Sequence, residues 1–306
     1  MRVAVTGATG LLAEFLIPQL LDNHSEVHAL WRTNKRGAER FKPNDRLHWF
    51  EGDLTDLTSL KELTTDCDAV VHAALEHLPG RYRGGEGDDP TRFRNVNLHQ
   101  TEAFLKMLQG TQVKRTVFIS SRAVFDGYGE STASLTDATP TKPDSLYGQI
   151  KAQTEELGDS LTEVGFCTLR PTGIYGETHR SEENKWADLI SDVKTGDVSS
   201  NTYSNQLRTE VHGEDVASAV SLLLSAPLAR VEHQRFNCSD IAVSQVQLVD
   251  LMRQIKEAKT VEVDSLPVGI PPNNPMTCEG LAELGWQPGG VPKLVHTLRR
   301  MLTAAS

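Results

Sequence analysis

The chain has 306 residues, enough to bury a large hydrophobic core in one large domain or two closely joined ones. Hydrophobic residues make up 38% and charged residues 24%, which is typical of a globular protein, and the net charge of −10 argues against a nucleic-acid partner, which needs a basic surface. No apolar run reaches the roughly 18–20 residues of a membrane-spanning helix, so no membrane partner is expected.

The cysteines and the first residues indicate the class of protein and its compartment. Cys67, Cys167, Cys238 and Cys278 are far apart and form no Cys-x-x-Cys pair, so we expect free thiols, with neither a disulfide framework nor a metal site. Residues 1–7 are a short strand that runs into a glycine turn, with no cleavable apolar helix. A cytoplasmic location is therefore expected.

Short apolar segments alternate with amphipathic ones through the first half of the chain. The predicted strands are Arg2–Val5, Glu26–Trp31, Arg46–Glu51, Ala69–His72, Thr116–Ser120 and Phe166–Arg170. The predicted helices between them are Leu11–Asp22, Ser59–Thr64 and Thr91–Leu108. Strands separated by helices of this length predict βαβ units, and hence an α/β fold with a doubly wound parallel Rossmann sheet.

The second half of the chain is less regular after Gly176. The elements predicted there are helices at Asp215–Leu224, near Val246–Glu257 and at Pro292–Met301, and a short strand at Thr260–Val263. We predict a Rossmann domain formed by residues 1-170, with the later segment of about 207-240 returning to it. Residues 171-206 and 241-306 are predicted to form a small α+β lobe that binds the substrate.

A glycine-rich turn follows the first predicted strand. Gly7, Gly10 and Ala13 form a Gly-x-x-Gly-x-x-Ala pattern between that strand and the next helix. Glycine permits positive φ and a close approach of the backbone, so a pyrophosphate can lie on the helix N-terminus. The pattern is weak alone and strong in this context, where the alternative is a plain strand–turn–helix. We predict that Gly7, Thr9, Gly10 and Leu11 bind a dinucleotide.

The residue at the end of the second strand predicts which dinucleotide binds. NAD sites usually place Asp or Glu there for the ribose hydroxyls, whereas an arginine accepts the 2′-phosphate of NADP. This chain has Arg32, followed by Lys35 and Arg36, so we predict NADP, with NAD as the second candidate. The alternative is a solvated basic loop. Asp53 and Leu54, after the third strand, are placed to meet the adenine edge, or Asp53 caps the following helix.

A tyrosine and a lysine four residues apart indicate the chemistry. On a helix, Tyr147 and Lys151 lie on one face, one turn apart. A cation beside a phenol lowers the pKa of the phenol from about 10 toward a value useful for proton transfer. Ser121, in a strand-to-loop segment upstream, adds a third polar group. Such a pair alone is usually a solvated helix face, but with Ser121 and the glycine turn it predicts hydride transfer at a carbinol or carbonyl carbon.

Several collinear segments extend this pattern over nearly the whole chain. They are Thr6–Gly10, Gly52–Leu54, Val71–Ala74, Asn97, Ser120–Phe125, Pro143–Lys151, Leu169–Pro171 and Arg208–Ala217. With these segments the chain resembles the extended short-chain dehydrogenases/reductases, of the NAD(P)-dependent epimerase/dehydratase type that mostly acts on nucleotide sugars.

The resemblance implies a role for each matched residue. Tyr147 would exchange a proton with the reacting oxygen, Lys151 would favour the phenolate and bind the nicotinamide ribose, and Ser121 would hold the substrate oxygen. Asn97 would order the active-site helix. The strand end at Ala73-Ala74 would lie beside the cofactor phosphates and ribose. Members of this family often dimerise through two helices per subunit, so a homodimer is implied.

The same resemblance bears on the substrate. Arg208 matches an arginine that commonly contacts a substrate diphosphate, and the alternative is an ion pair with Glu210 or Glu214. Where many nucleotide-sugar enzymes have asparagine after the Leu-Arg strand, this chain reads Pro171-Thr172-Gly173, so a polar substrate contact is missing or moved. Arg122-Ala123 replaces the Asp-Glu pair of related 4,6-dehydratases, so dehydration is not expected.

We therefore predict an NAD(P)-dependent oxidoreductase that transfers hydride to or from a sugar-like alcohol or carbonyl. The expected substrate is a carbohydrate or nucleotide sugar, bound in part by Ser121 and Arg208. One alternative is a nucleotide-sugar 4-epimerase, which retains its NAD and uses the same residues. Another is a non-catalytic dinucleotide-sensing module, which the presence of Ser121, Tyr147 and Lys151 disfavours.

Overall fold

A parallel sheet forms the centre of the molecule in the computed structural model, which describes residues 1–23, 25–32, 35–78, 84–129, 131, 133–179, 184–197, 203–257 and 274–303. The strands of the described residues are β1 (Arg2–Thr6), β2 (Glu26–Trp31), β3 (Leu47–Glu51), β4 (Ala69–His72), β5 (Arg115–Ile119), β6 (Gly165–Pro171), β7 (Gly173–Tyr175), β8 (Arg208–His212), β9 (Arg235–Cys238) and β10 (Ile241–Val243). The central sheet has the order β3-β2-β1-β4-β5-β6-β9, and every neighbouring pair is parallel.

A smaller sheet has the order β10-β8-β7, and β9 of the central sheet lies between β8 and β10 in the chain. In it β8 is antiparallel to β10 and parallel to β7. Because β7 follows β6 after the single residue Thr172, the small sheet is joined directly to the carboxyl end of the central one.

The helices of the described residues cover both faces of the central sheet and build the second lobe. They are α1 (Ala13–Asp22), α2 (Leu57–Thr64), α3 (Pro90–Arg94), α4 (Gln100–Leu108), α5 (Leu146–Asp159), α6 (Ala187–Thr195), α7 (Gly213–Ser225), α8 (Gln245–Glu257), α9 (Glu279–Glu283) and α10 (Gly290–Thr303). A π-helical segment, Asn95–His99, joins α3 to α4.

Two apolar clusters hold the central sheet between its helices. On one face, α1 and α7 pack together over β1, where Leu16, Ile17 and Val220 are fully buried. On the other face, α2 and α4 pack against the sheet through side chains such as Leu60 and Phe104. Both faces of the central strands are therefore covered, which explains why these strands are continuous apolar runs.

A third apolar cluster lies apart from the central sheet. It joins α6, α8 and α10 to the small sheet and contains Tyr175, Trp186 and Met252 among its buried members. The ring of Tyr175 stacks on that of Trp186 with 5.0 Å between centroids. The second lobe thus has a core of its own.

The fold class predicted from the sequence is confirmed by the parallel sheet and its flanking helices. The helix predicted at Leu11–Asp22 begins at Ala13, because Gly10 to Leu12 complete the turn. The pattern did not predict β7, β8, β9 or β10, which have three to five residues each, because tertiary pairing decides such short strands.

The strand predicted at Thr260–Val263 lies outside the described residues. Within the described ranges, no helix is both long and apolar enough to cross a bilayer.

The close packing of α5 on β6 at Gly158 can be tested by adding a single methyl group. A Cβ at Gly158 would collide with the buried ring of Phe166, which has no room to move. We expect Gly158→Ala to lower the free energy of unfolding by about 1–3 kcal/mol, although alanine favours helix. The measurement is urea unfolding followed by circular dichroism.

Gly110→Ala is the matched control, because the nearest atom to a Cβ there is the carbonyl oxygen of Met107 at 3.7 Å. The control should change the free energy of unfolding by less than about 0.5 kcal/mol. A Gly158→Ala protein as stable as the control would contradict the packing argument.

Candidate functional site

The glycine turn has the shape that a dinucleotide requires. Gly7 has a φ of +73°, and a Cβ on it would lie 2.7 Å from the carbonyl carbon and oxygen of Ala73. The Gly10 N–H donates to the carbonyl oxygen of Gly7 at 3.0 Å, and α1 begins three residues later. The backbones of the turn and of the β4 end therefore meet without an intervening side chain. This cradle at a helix N-terminus fits a pyrophosphate.

A buried histidine fixes the strand end beside this turn. Nδ1 of His72 lies 2.7 Å from Oγ1 of Thr6, and Nε2 lies 3.1 Å from Oγ1 of Thr101. The Ala74 N–H donates to Thr6 Oγ1 at 3.3 Å. Burial, with a smaller contribution from the positive charge of Lys151, lowers the pKa of His72 to about 3. His72 is therefore neutral, and it connects β1, β4 and α4.

Asn97 orders the loop after β4. Its Nδ2 donates to the carbonyl oxygens of Phe93 at 3.0 Å and Glu76 at 2.9 Å, and its Oδ1 accepts the Glu76 N–H at 2.7 Å. The side chain is buried within the π-helical segment. The resemblance implied that Asn97 orders the active-site helix, whereas its contacts hold the loop beyond Ala74.

Arg32 lies between two carboxylates. Its Nη1 donates to Oε2 of Glu76 at 3.0 Å and lies 3.8 Å from Oδ2 of Asp53. It is therefore anchored, although 57% of its side chain is exposed. Asp53 Oδ1 accepts the Thr55 N–H, and the cap of α2 is Asp56 instead of Asp53.

The neighbouring residues complete this end of the predicted cofactor site. Leu54 is buried in the apolar cluster behind this strand end. The side chains of Lys35 and Arg36, which the sequence placed in the same basic loop, lie outside the described part of the structure.

The helix that carries the tyrosine and lysine packs onto the loop that carries the serine. Ser145 caps α5 by accepting the Gly148 N–H at 3.1 Å. A Cβ on Gly148 would collide with the carbonyl oxygen of Ala123, so α5 reaches this loop only because glycine is there. Ser121 begins the loop, and its Oγ accepts the Ala123 N–H at 3.1 Å. The fold thus brings Ser121 and the first turn of α5 together.

Lys151 is a buried ammonium at the end of β5. Its Nζ donates to the carbonyl oxygen of Ile119 at 2.7 Å and lies 5.9 Å from the ring centroid of Tyr147. The Phe118 ring lies below it, with 4.7 Å from Nζ to the centroid. Burial lowers the pKa of Lys151 to about 7, opposed by the carboxylate of Glu155 one turn later. The pair is therefore not a solvated helix face.

A buried ion pair behind Lys151 was not predicted from the sequence. Glu155 is 1% exposed, and its carboxylate accepts from Nε and Nη2 of Arg170, with the closest approach 2.5 Å. The Ser120 hydroxyl donates to Oε1 of Glu155 at 2.5 Å. The available signals were a glutamate four residues after Lys151, on the same helix face, and an arginine inside an apolar strand.

Arg208 and Gly173 lie in the small sheet. Arg208 begins β8 with its side chain exposed, and in the described part of the chain it has no carboxylate within ion-pair distance. The alternative ion pairs of the sequence are absent there, because Glu210 pairs with Lys185 and Glu214 lies 3.3 Å from Nζ of Lys293.

The Lys185–Glu210 pair lies over Gly173. A Cβ on Gly173 would be 2.7 Å from Nζ of Lys185, so the pair occupies the space that a side chain would need there. Burial raises the pKa of Glu210, while the cation of Lys185 opposes this. Lys185, from another segment of the chain, therefore lies where a side chain at position 173 would be.

The described residues contain no group of three or more His, Cys, Asp or Glu side chains placed to hold a metal ion. Ser121, Tyr147 and Lys151 bring a hydroxyl, a phenol and an amine to the site.

His72 makes stability depend on pH. Because its pKa is about 3 in the folded chain and 6.5 in the unfolded chain, only the unfolded chain binds this proton between those values. The stabilisation is complete above about pH 6.5 and is lost as the pH falls. Between pH 7 and pH 5, the wild-type chain should lose about 2 kcal/mol more unfolding free energy than His72→Asn.

The measurement is urea unfolding at pH 7, 6 and 5. His99→Asn removes an exposed histidine and is the control, so it should keep the wild-type pH dependence. Identical pH profiles for wild type and His72→Asn would show that folding does not lower the pKa of His72.

Comparison with known proteins places this geometry in a family. The family model described as the NAD dependent epimerase/dehydratase family matches residues 3–239. The chain is 26% identical to cinnamoyl-CoA reductase 1 of Petunia hybrida over 266 residues, covering 82% of this chain and 76% of that protein. It is 29% identical to D-erythronate dehydrogenase of Haemophilus influenzae over 236 residues, covering 74% and 69%.

A solved structure shares the fold. It is UDP-glucuronic acid 4-epimerase from Bacillus cereus in complex with UDP-glucuronic acid and NAD, with a TM-score of 0.78, 20% identity, and coverage of 99% of this chain and 98% of that one. The family resemblance seen in the sequence is confirmed by the family model. The chain belongs to the NAD dependent epimerase/dehydratase family and is an enzyme of the extended short-chain dehydrogenase/reductase type.

Proposed function

We propose that the chain transfers hydride to or from the carbinol or carbonyl carbon of a sugar-like substrate, using Ser121, Tyr147 and Lys151. The observation that carries this proposal is the buried Lys151 ammonium, which is bound to Ile119 and lies one helical turn from Tyr147. A buried cation next to a phenol is the arrangement that lets a tyrosine exchange protons near neutral pH.

The cofactor would be held by residues from three strand ends. Gly7, Thr9, Gly10 and Leu11 form the pyrophosphate cradle, Ala73-Ala74 passes beside it, and Asp53 and Leu54 face the adenine. The fit rests on the approach of Gly7 to Ala73, which leaves the backbone open to a phosphate. When bound, a nicotinamide dinucleotide supplies the hydride donor or acceptor.

Each catalytic side chain has a distinct task. Ser121 Oγ accepts the Ala123 N–H, and its hydroxyl hydrogen would be donated to the substrate oxygen. Tyr147 takes or gives the proton of that oxygen. Lys151, whose pKa is about 7, exchanges its proton near neutral pH, and its charged form favours the phenolate of Tyr147. These roles oxidise an alcohol or reduce a carbonyl according to the cofactor supplied.

The substrate is proposed to be a carbohydrate derivative with an anionic group. Support comes from the exposed guanidinium of Arg208, a residue that suits bidentate binding of phosphate or carboxylate. The names of the relatives include a dehydrogenase of a sugar acid and an epimerase crystallised with a nucleotide sugar, so both classes remain candidates. Net oxidoreduction is the main proposal and 4-epimerisation the second, because the same three residues serve both.

Three further features remain proposals. We assign residues 1-170, with about 207-240, to the cofactor domain and 171-206 with 241-306 to the substrate lobe. The separate apolar cluster of α6, α8 and α10 supports this division, whereas Leu281 and Trp286 pack in the cluster of the central sheet. The homodimer implied by the resemblance and the cytoplasmic location stay predictions.

Replacing the tyrosine tests the proposed chemistry. We expect Tyr147→Phe to lower kcat by about 10²–10⁴-fold, because the proton path is lost, while the affinity for the cofactor stays within about threefold. The measurement is nicotinamide absorbance with sugar acids and nucleotide sugars as substrates, together with thermal shift by the dinucleotide.

Tyr128→Phe is the control, since the Tyr128 hydroxyl donates to the carbonyl oxygen of Pro140 at 2.9 Å and is not one of the three proposed catalytic groups. It should keep wild-type turnover. Full activity of Tyr147→Phe would refute the catalytic role. Isomerisation without added cofactor, by protein purified with bound NAD, would favour the epimerase.

Replacing Arg208 tests the class of substrate. For a diphosphate-bearing substrate we expect Arg208→Ala to raise KM about tenfold or more with kcat little changed, since a charge-assisted hydrogen bond contributes about 1.5–3 kcal/mol. Arg253→Ala, an exposed arginine on α8, is the control and should leave KM unchanged. An unchanged KM in Arg208→Ala would point to a free sugar or sugar acid bound elsewhere in the lobe.

A further inference from the structure

The loop after β4 places a carboxylate on the arginine that would select the cofactor. Oε2 of Glu76 accepts from Nη1 of Arg32 at 3.0 Å, although the two residues lie 44 positions apart in the chain. Asp53 adds a second carboxylate 3.8 Å from the same nitrogen. The positive charge that made Arg32 a candidate for the 2′-phosphate of NADP is therefore offset from two sides.

Glu76 is held in this position by its surroundings. Asn97 binds both its N–H, at 2.7 Å, and its carbonyl oxygen, at 2.9 Å, which fixes the backbone. Arg92 binds the other carboxylate oxygen, with 2.9 Å from Nε and 2.8 Å from Nη2 to Oε1. A ligand that needs Arg32 must therefore compete with a glutamate whose backbone is held by Asn97 and whose carboxylate is held by Arg92.

NADP and NAD differ in the charge that they bring to Arg32 and its two carboxylates. A 2′-phosphate brings a dianion next to Glu76 and Asp53 and has to compete with Glu76 for the guanidinium. A free ribose diol brings no charge, and its hydroxyls can donate to a carboxylate, which is what the acid at the end of β2 does in ordinary NAD sites. Here the acid would be Glu76, from the loop after β4.

We propose that Glu76 is a selectivity-determining residue that makes the cofactor site prefer NAD to NADP by occupying Arg32. This inference rests on the proposed dinucleotide site and adds the choice between the two cofactors. It also reverses the NADP preference expected from Arg32 alone, because the sequence around Arg32 does not show which carboxylate the fold brings to it.

A double-mutant cycle tests the proposal. The dissociation constants of NAD⁺, NADP⁺, 5′-AMP and 2′,5′-ADP are measured by calorimetry for wild type, Glu76→Gln, Arg32→Gln and the double variant. We expect wild type to bind NAD⁺ more tightly, and Glu76→Gln to shift the affinity ratio at least about fivefold toward the 2′-phosphate ligands. In the Arg32→Gln background the same change should shift the ratio less than about twofold, because the effect acts through Arg32.

The control is Glu102→Gln, which removes an exposed carboxylate paired with Lys106 on α4 and should leave the ratio unchanged. A wild type that prefers NADP⁺, or a Glu76→Gln variant with an unchanged ratio while both cofactors bind, would overturn this inference and leave the proposed function intact. Failure of the wild-type chain to bind either dinucleotide would overturn both.

Discussion

The ion pair between Glu155 and Arg170 is the interaction on which the geometry of the site depends. It joins α5 to β6, and through the Ser120 hydroxyl it also holds the end of β5. A buried carboxylate deprived of its partner costs about 3–5 kcal/mol, so the three elements keep one arrangement. Lys151 lies one turn before Glu155 on the same helix, and its position relative to Ser121 follows from that arrangement.

Glycine gives the site its second constraint, which is steric. Gly7 lets the first turn touch the end of β4, and Gly148 lets α5 touch the loop after β5. In both places a backbone meets another backbone, so the polar groups of the two halves of the site converge at the carboxyl edge of the parallel sheet. Binding at that edge is the general rule for open α/β sheets.

The sequence predicted what depends on local pattern and missed what depends on distant partners. The alternation of strands and helices predicted the fold class, and the spacing of Tyr147 and Lys151 predicted a shared helix face. The contacts of Arg32 with Glu76, of Glu155 with Arg170 and of Glu210 with Lys185 join residues 15 to 44 positions apart. Nothing in the local pattern identifies such partners, and each alters the charge on which a role was inferred.

The separate core of the second lobe has a consequence for how this protein can change over time. Tyr175, Trp186 and their neighbours gain their packing energy within the lobe, apart from the clusters that hold the central sheet. Substitutions in the lobe core therefore change the free energy of unfolding independently of substitutions in the core of the sheet. Under the proposed assignment of this lobe to the substrate, substitutions that change substrate preference leave the packing of the sheet and its strand ends unchanged.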